Sequence, residues 1–275
     1  MKAAVVGTGR VGSAFAHLLS KRGIELLYLY DIDHFAAERA AEITEALNIH
    51  DWDEFKKLSK KVDLIIITTP DDLIEETAEK LEAAEDQYLM HMSGLLGADI
   101  LPKNIKGAFS MHPLCSVSSF SEGTELLADA LFTLEGSRSS LDFAKKLVEK
   151  LEVEYITIKA EFKPLYHAAA VLASNYLLTL INESFALLES AGLNSDRLKK
   201  EVIGLSRVTL KNIEEFGTEE ALTGPIVRGD INTIKKHQQS IKQYSPEELK
   251  LYQLLGRYTL KLVSQDYELK ELFSE

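Results

Sequence analysis

Cysteine is almost missing from this 275-residue sequence, which has Cys115 as its single thiol. One thiol excludes an intramolecular disulfide and any metal site built from clustered cysteines, and we predict no metal site. Basic residues are also few relative to acidic ones, with 31 Lys and Arg against 43 Asp and Glu and a formal net charge of −12. Binding to nucleic acid needs a basic face. We therefore expect no nucleic-acid partner.

Long uninterrupted apolar runs are missing as well. None approaches the ~20 residues that span a bilayer, so we expect no membrane partner. The pattern of a strand begins at Lys2, which leaves no room for a leader peptide. By elimination, these patterns predict a cytoplasmic protein. The length favours two domains over one.

What the sequence does contain is a glycine-rich turn between a strand and a helix. The apolar run 2–6 leads into G-x-G-x-x-G, and a helical pattern follows from Ser13. Gly7 permits a sharp turn, Gly9 permits close approach of a pyrophosphate, and Gly12 permits close packing of helix on strand. The amides at the helix start would hold the phosphates. The pattern predicts a dinucleotide site made by Gly7, Thr8, Gly9, Arg10, Val11 and Gly12, the alternative being a glycine turn in another kind of α/β protein.

A second apolar run ends in an acidic residue, Asp31, nineteen residues after Gly12. A carboxylate at this point accepts hydrogen bonds from the free hydroxyls of an adenosine ribose. The cofactor is therefore predicted to be NAD or NADP, with NAD favoured.

The first half of the chain alternates strands with helices, which predicts an α/β fold with a doubly wound Rossmann sheet over residues 1–158. Ligands of such sheets lie at the carboxyl ends of the strands, and these ends are predicted at Gly7, Asp31, Thr69-Pro70, Ser93-Gly94 and His112. Residues 159–275 have no strand pattern and predict an all-helical domain. Its first helix is expected to run unbroken from Pro164 to Ser190, with later breaks at Gly217, Thr223-Gly224-Pro225, Ser245-Pro246 and Gln265.

Among the polar residues at predicted strand ends, His112 is the leading candidate for an acid/base. Histidine titrates near neutral pH, so it can take a hydroxyl proton while a hydride leaves the same carbon. Ser93 is expected to hydrogen-bond the same oxygen, and Thr69 and Pro70 to lie near the nicotinamide ribose. The alternative for His112 is a purely structural His-Pro turn.

Polar residues also interrupt the apolar helix 164–190. His167 and Ser174 are seven residues apart and share a face, and Asn175 lies about 80° away. This polar stripe is expected to face the cofactor cleft, or else to satisfy buried neighbours. Farther along, Arg228 lies between two turns and would clamp a substrate carboxylate or form a plain salt bridge. Asp230 is expected to cap the helix that starts at Ile231.

These motifs occur in an order that resembles a known family. The order is the glycine loop, Thr-Thr-Pro-Asp-Asp, His-Met-Ser-Gly, Met-His-Pro-Leu, Tyr-His-Ala-Ala-Ala-Val-Leu-Ala-Ser-Asn and Leu-Thr-Gly-Pro-Ile-Val-Arg-Gly-Asp. It is similar to that of a domain-of-unknown-function family of bacterial Rossmann-type oxidoreductases. The resemblance implies a nucleotide-binding domain followed by a helical, dimerising domain similar to that of 6-phosphogluconate dehydrogenase.

More distant resemblances suggest the chemistry. The pair Ser93 and His112-Pro113 resembles the arrangement in prephenate dehydrogenases, where such a histidine assists hydride removal from a hydroxyl carbon. Pyrroline-5-carboxylate reductases share the N-terminal pattern but not the His-Pro motif. In β-hydroxyacid dehydrogenases a lysine is catalytic, but Lys163 precedes a proline at a different spacing, and that role is not carried over. Many family members have Ser-Arg after the second strand, which suits NADP, whereas this chain has Tyr30-Asp31.

The sequence thus predicts an NAD(P)-dependent oxidoreductase that transfers hydride to or from a small carboxylate-bearing substrate, as a homodimer. The catalytic set would be His112, Ser93, His167 and Asn175, and the substrate would be bound by Arg228 and Ser174. The alternatives are a sensor that binds NAD(P)H without chemistry, and a structural scaffold that keeps an idle nucleotide site.

Overall fold

The computed structural model describes residues 1–263 and 272–273 of the chain. It contains two compact units, residues 1–171 and residues 172–275. The predicted break at Gln265 lies outside the described residues.

The first unit is built on one sheet of eight strands. These are β1 (Lys2–Val6), β2 (Glu25–Tyr30), β3 (Leu47–Asn48), β4 (Leu64–Ile67), β5 (Tyr88–His91), β6 (Gly107–Pro113), β7 (Leu131–Gly136) and β8 (Glu154–Thr157). Their order is β3-β2-β1-β4-β5-β6-β7-β8, and every neighbouring pair is parallel except β6 with β7. The predicted doubly wound Rossmann sheet is confirmed. The carboxyl ends of β1, β4, β5 and β6 therefore meet at one edge.

Helices cover both faces of this sheet. They are α1 (Arg10–Lys21), α2 (His34–Thr44), α3 (Trp52–Ser59), α4 (Ile74–Leu81), α5 (Phe120–Ala128) and α6 (Arg138–Leu151). The alternation of side chains along a strand divides the core into two layers. Ala3 and Val5 of β1 pack in one apolar cluster with α1 and α6, and Ala4 and Val6 pack in the other with α3 and α4. Because both faces are covered, the central strands are apolar throughout, as in other buried parallel sheets.

The helical region consists of α7 (Lys163–Ala173), α8 (Asn175–Ser190), α9 (Asp196–Glu220), α10 (Ile231–Tyr244) and α11 (Leu249–Thr259). The predicted breaks at Gly217 and at residues 223–225 are present, and Gly217 has a φ of 79° within α9. Asp230 caps α10 as expected, because its carboxylate accepts from the amide of Thr233 at 3.0 Å. Within the described part of the second unit, the fully buried apolar cluster is small and contains Ile234, Leu260 and Phe273.

The unbroken helix predicted for Pro164 to Ser190 is wrong. Ser174 adopts φ −116° and ψ −71° between α7 and α8, so the helix is interrupted there. The structure also places the division between units after residue 171, later than the boundary predicted after 158. The reason is that the start of α7 is anchored in the first unit, where Lys163 bonds Ser93 and Ser110.

One helical stretch, Ala160–Ser190, is long and apolar enough to cross a membrane by length and composition, with a mean hydropathy of 1.3 over 18 residues. The expectation that no uninterrupted apolar run approaches ~20 residues still holds, because polar residues such as Lys163, His167 and Ser174 interrupt this stretch. Lys163 and His167 lie within this stretch, and the buried bonds of Lys163 hold its first turn against the Rossmann sheet.

Candidate cofactor and active site

The glycine loop has the geometry of a phosphate cradle. Gly7 has φ +91°, and a Cβ there would lie 2.8 Å from the backbone of Thr68 and Thr69. A Cβ on Gly12 would lie 2.0 Å from the Gly7 carbonyl oxygen. In contrast, a Cβ on Gly9 would meet no described protein atom within 4 Å. Gly7 and Gly12 are thus required by the fold itself, whereas the space at Gly9 is open.

Open space at Gly9 lies directly before the first turn of α1. Gly9 is the N-cap, no side chain caps this helix end, and its first turn carries no acidic residue. The amides of Arg10, Val11 and Gly12 are among the donors that a helix start leaves unpaired, and the helix dipole favours an anion there.

Asp31 lies beside this loop, as the sequence predicts, and its carboxylate has partners in the protein. Oδ2 accepts from the backbone amide and the hydroxyl of Thr8, and Oδ1 accepts from the amide of Asp33 at 2.8 Å. The carboxylate therefore joins the end of β2 to the glycine loop. It also places a negative charge at the mouth of the adjoining cleft.

This cleft has a volume of about 390 Å³ and is lined by five of the predicted cofactor residues, Gly7, Gly9, Asp31, Thr69 and Pro70. The Thr69 hydroxyl oxygen is buried without a partner among the described residues. Buried polar atoms are normally satisfied, so this oxygen marks a place for a ligand atom. The only tryptophan of the chain, Trp52, lines the same cleft. The glycine loop, the uncapped helix start and the orphaned hydroxyl together fit a dinucleotide.

His112 lies near the end of β6, at the same sheet edge as the glycine loop. Its Nδ1 is 2.9 Å from the hydroxyl of Tyr166, a residue that sequence reasoning did not single out. Burial, aided by the positive charge of Lys163 and by His167, lowers the pKa of His112 to about 4. The imidazole is therefore neutral near pH 7 and able to accept a proton.

His167 reaches the same point from α7. Its ring centroid is 6.0 Å from that of His112, and the two planes are nearly perpendicular at 86°. A Cβ on Gly94 would lie 2.8 Å from both His112 Nε2 and His167 Nδ1. His167 Nδ1 is buried and has no partner among the described residues. The two ring nitrogens thus converge over a glycine, where no side chain separates them; we call this the two-histidine site.

The Ser93 hydroxyl, which is predicted to bond a substrate oxygen, has three partners within the protein. Ser93 Oγ donates its single proton to Asp71 Oδ2 at 2.7 Å and accepts from the amides of Leu95 and Leu96 at 3.1 and 3.0 Å. The residue is only 4% exposed. Its hydroxyl therefore closes the turn after β5 and has no proton left for a substrate.

Lys163, for which the sequence analysis carried over no catalytic role, lies close to this site. Its side chain is fully buried, and Nζ donates to the Ser93 carbonyl oxygen at 2.9 Å and to Ser110 Oγ at 2.8 Å. Burial lowers the pKa of Lys163 to about 8, although the charges of Glu135 and Asp71 oppose this shift. A lysine at the start of an otherwise apolar helix was the available signal, but its partners are 70 and 53 residues away.

Three predicted substrate or catalytic residues belong to the second unit. Ser174 and Asn175 are exposed at the interruption between α7 and α8. Arg228 is exposed in the turns before α10, between Gly224 with φ +100° and Gly229 with φ +65°. Among the described residues, no carboxylate lies within 4 Å of Arg228, so the plain salt bridge is not formed there.

Comparison with known proteins supports this description. Residues 1–90 match the oxidoreductase family with an NAD-binding Rossmann fold, and residues 130–259 match the domain of unknown function DUF2520. No curated protein matches the sequence significantly.

Solved structures extend the likeness to nearly the whole chain. Protein TM1727 of Thermotoga maritima is 26% identical, with a TM-score of 0.76 over 94% of this chain and 97% of that one. BF3122 of Bacteroides fragilis, provisionally named an NADP oxidoreductase, is 20% identical, with a TM-score of 0.76 over 94% and 98%. Prephenate dehydrogenase of Aquifex aeolicus, in complex with hydroxyphenyl propionate and NAD⁺, is 18% identical, with a TM-score of 0.54 over 95% and 96%. The resemblance inferred from the motifs is confirmed, because one segment of the chain matches the model of the oxidoreductase family with an NAD-binding Rossmann fold and another matches that of DUF2520.

Proposed function

We propose that this protein is an NAD(P)-dependent oxidoreductase that transfers a hydride to or from a small carboxylate-bearing substrate. The observation that carries the proposal is that the dinucleotide cradle and the two-histidine site lie at one edge of one sheet. The cradle follows β1 and β4, and the histidine site is formed at the ends of β5 and β6, which are the next strands along. Ligands of doubly wound sheets bind at this edge.

The cofactor would be held by the glycine loop, by Asp31 and by the orphaned hydroxyl of Thr69, with Pro70 beside it. When bound, the nicotinamide supplies the acceptor or donor of the hydride. The negative charge of Asp31 disfavours the 2′-phosphate of NADP, so we propose NAD as the preferred cofactor. The name of BF3122 points to NADP in that relative, and the Aquifex aeolicus enzyme binds NAD⁺.

His112 would be the acid/base. In the tautomer in which Nδ1 donates to the Tyr166 hydroxyl, the lone pair of Nε2 is free to take the proton of a substrate hydroxyl as the carbon bearing it loses a hydride. His167 Nδ1 would hydrogen-bond the same substrate oxygen from the other side, which gives it a partner. Ser93 would act only through the turn that carries Gly94.

Substrate recognition would use a carboxylate. We propose that Arg228 binds it and that Ser174 and Asn175 contribute hydrogen bonds, since all three are exposed polar side chains in the second unit. The carboxylate ligand of the Aquifex aeolicus enzyme is consistent with such a substrate.

We further propose a soluble, cytoplasmic homodimer formed through the second unit. This unit has a small buried cluster yet exposes large apolar side chains along α8 and α9, among them Leu178 at 70%, Leu205 at 68% and Val208 at 55%. Apolar surface on this scale on a monomer marks an interaction site. A second copy of the chain would cover these helices.

The first experiment is a parallel titration with NADH and NADPH, followed by nicotinamide and Trp52 fluorescence and then by a screen of hydroxy acids for hydride transfer. Tight NADH binding with turnover supports the proposal. Binding that alters partner association without turnover would favour a sensor, and failure to bind either dinucleotide would favour an idle scaffold.

A further inference from the structure

The buried ammonium group of Lys163 stands out because the proposed reaction does not use it. Burial of a charged group is expensive unless hydrogen bonds and opposite charges compensate. Here two bonds are present, to the Ser93 carbonyl and to Ser110 Oγ. Among the described residues no carboxylate lies within 4 Å of Nζ, so the lysine forms no direct ion pair.

Two carboxylates are linked to this ammonium group through serine residues. Asp71 Oδ2 accepts from Ser93 Oγ at 2.7 Å, and Glu135 Oε2 accepts from Ser110 Oγ at 3.2 Å. Glu135 is held in turn by the amide of Ala98 at 2.7 Å. The result is a network that connects the loop after β4, the turn after β5, and strands β6 and β7, and that is buried except at Asp71, which is exposed.

Each bond of Lys163 has a direct consequence for the two-histidine site. The Ser93 carbonyl belongs to the peptide that joins Ser93 to Gly94, and Gly94 is the residue over which both ring nitrogens converge. Ser110 lies two residues before His112 on β6. Lys163 itself precedes His167 by four residues, or about one turn of α7.

We propose that Lys163 is the positioning residue of the two-histidine site, where its ammonium group locks the Ser93–Gly94 turn, strand β6 and helix α7 in the register that brings His112 and His167 together. This inference rests on the proposed function, but the arrangement of the two histidine rings can be measured without any turnover. Lys163 contacts no reacting atom in this scheme and acts through the groups that it holds.

The same charge affects the histidines near it. The ionisable groups that face this region are Asp71 from the loop after β4, His91 from β5, His112 from β6, Glu135 from β7, and Tyr166 and His167 from α7. Burial is the main reason that the pKa values of His91 and His112 are low, and the positive charge of Lys163 lowers both further. Removal of that charge should therefore raise the pKa of His112.

The test uses the full chain and needs no substrate. Lys163→Met keeps the length of the side chain and removes the charge and both bonds, and Lys163→Arg keeps the charge. Lys159→Met is the matched control, because Lys159 is exposed and its ion pair with Glu161 is on the surface. The readouts are the nuclear Overhauser effect between the rings of His112 and His167, and the NMR titration of His112.

In Lys163→Met we expect the inter-ring effect to be lost and the pKa of His112 to rise by at least about 0.5 pH unit, since the charge acts across a poorly solvated interior. Lys163→Arg should keep the low pKa, and Lys159→Met should match the wild type in both readouts. A His112–His167 contact and a His112 titration that are unchanged in folded Lys163→Met would overturn the proposal.

A second variant covers the case in which Lys163→Met does not fold. Ser110→Ala removes one partner of the ammonium group but keeps its charge, so we expect a weaker inter-ring effect with a His112 pKa that stays low. An unchanged inter-ring effect in Ser110→Ala would then count against positioning. NADH titration of the same samples separates the two proposals, because loss of binding in the wild type would refute the cofactor site and leave the NMR result intact.

Discussion

Two alanine substitutions in the glycine loop separate binding of the cofactor from stability of the fold. The sequence motif treats Gly9 and Gly12 alike, but the structure gives them opposite surroundings. A Cβ on Gly9 meets no described atom within 4 Å, whereas a Cβ on Gly12 would lie 2.0 Å from the Gly7 carbonyl oxygen and 2.5 Å from Thr68 Oγ1. We expect Gly9→Ala to affect binding and Gly12→Ala to affect folding.

The backbone of Gly9 has φ −62° and ψ −167°, which alanine adopts without strain. Gly→Ala at such a position stabilises a protein by about 0.4–1 kcal/mol, because the unfolded chain loses freedom. The new methyl group occupies the space in which a pyrophosphate would approach the loop amides. We therefore expect NADH affinity to fall at least tenfold, or about 1.4 kcal/mol, with no loss of stability.

The methyl group of Gly12→Ala has no room. The carbonyl of Gly7 is part of a turn with φ +91° that is itself packed on Thr68, so neither can move freely. Overpacking of this kind costs about 1–3 kcal/mol, which corresponds to a Tm lower by roughly 2–5 °C for a chain of this size.

Calorimetry and NADH titration, on both variants and the wild type, provide the measurements. The reasoning is refuted if Gly9→Ala binds NADH as tightly as the wild type, because the open space would then not be the pyrophosphate site. Equal Tm values for Gly12→Ala and the wild type would contradict the packing argument.

Four further predictions follow from the same geometry. Asp31→Ser should shift the ratio of NADPH to NADH affinity by about tenfold towards NADPH, because the charge that repels the 2′-phosphate is removed. An unchanged ratio in a fluorescence titration would argue against contact between Asp31 and the adenosine ribose. His112→Asn should lower kcat by about 10²–10⁴-fold with NADH affinity unchanged, and full activity would exclude it as the acid/base. Because the pKa of buried His91 is lowered, the unfolded state binds more protons than the folded state between pH of about 6.5 and about 4. The free energy of unfolding should therefore fall as the pH drops through this range. Urea denaturation of His91→Gln should show a smaller fall in this free energy than the wild type. Leu178→Glu and Leu205→Glu should convert a dimer to monomers in analytical ultracentrifugation, whereas a wild type that is monomeric would contradict the dimer itself.

Local patterns were sufficient for the Rossmann unit because its signals are local. The apolar run 64–67 and the glycine loop can each be recognised from a few consecutive residues. The two-residue strand β3 was not predicted, since two residues carry no periodicity. The interruption at Ser174 was also missed, because a serine and an asparagine within an apolar segment give the same sequence pattern in a continuous helix and in a broken one.

The candidate site was predicted in part for the same reason. Asp31 and Thr69 follow strands that are recognisable from the sequence, and His112 lies near the end of another such strand. Parallel strands bring their carboxyl ends to one edge. The bond of Ser93 to Asp71 was not predicted, because nothing local indicates that a residue 22 positions earlier accepts its proton.

The sequence by itself determined the alternation of strands and helices in the nucleotide-binding half, the glycine cradle and the acidic residue after the second strand, since each depends on backbone freedom or on periodicity along the chain. Only the tertiary structure decided that His112 and His167 converge over Gly94, that Tyr166 orients His112, and that Lys163 is buried beneath them. These contacts join residues far apart in the chain, and the depth of burial that makes a charged lysine costly exists only after the strands and α7 have packed together.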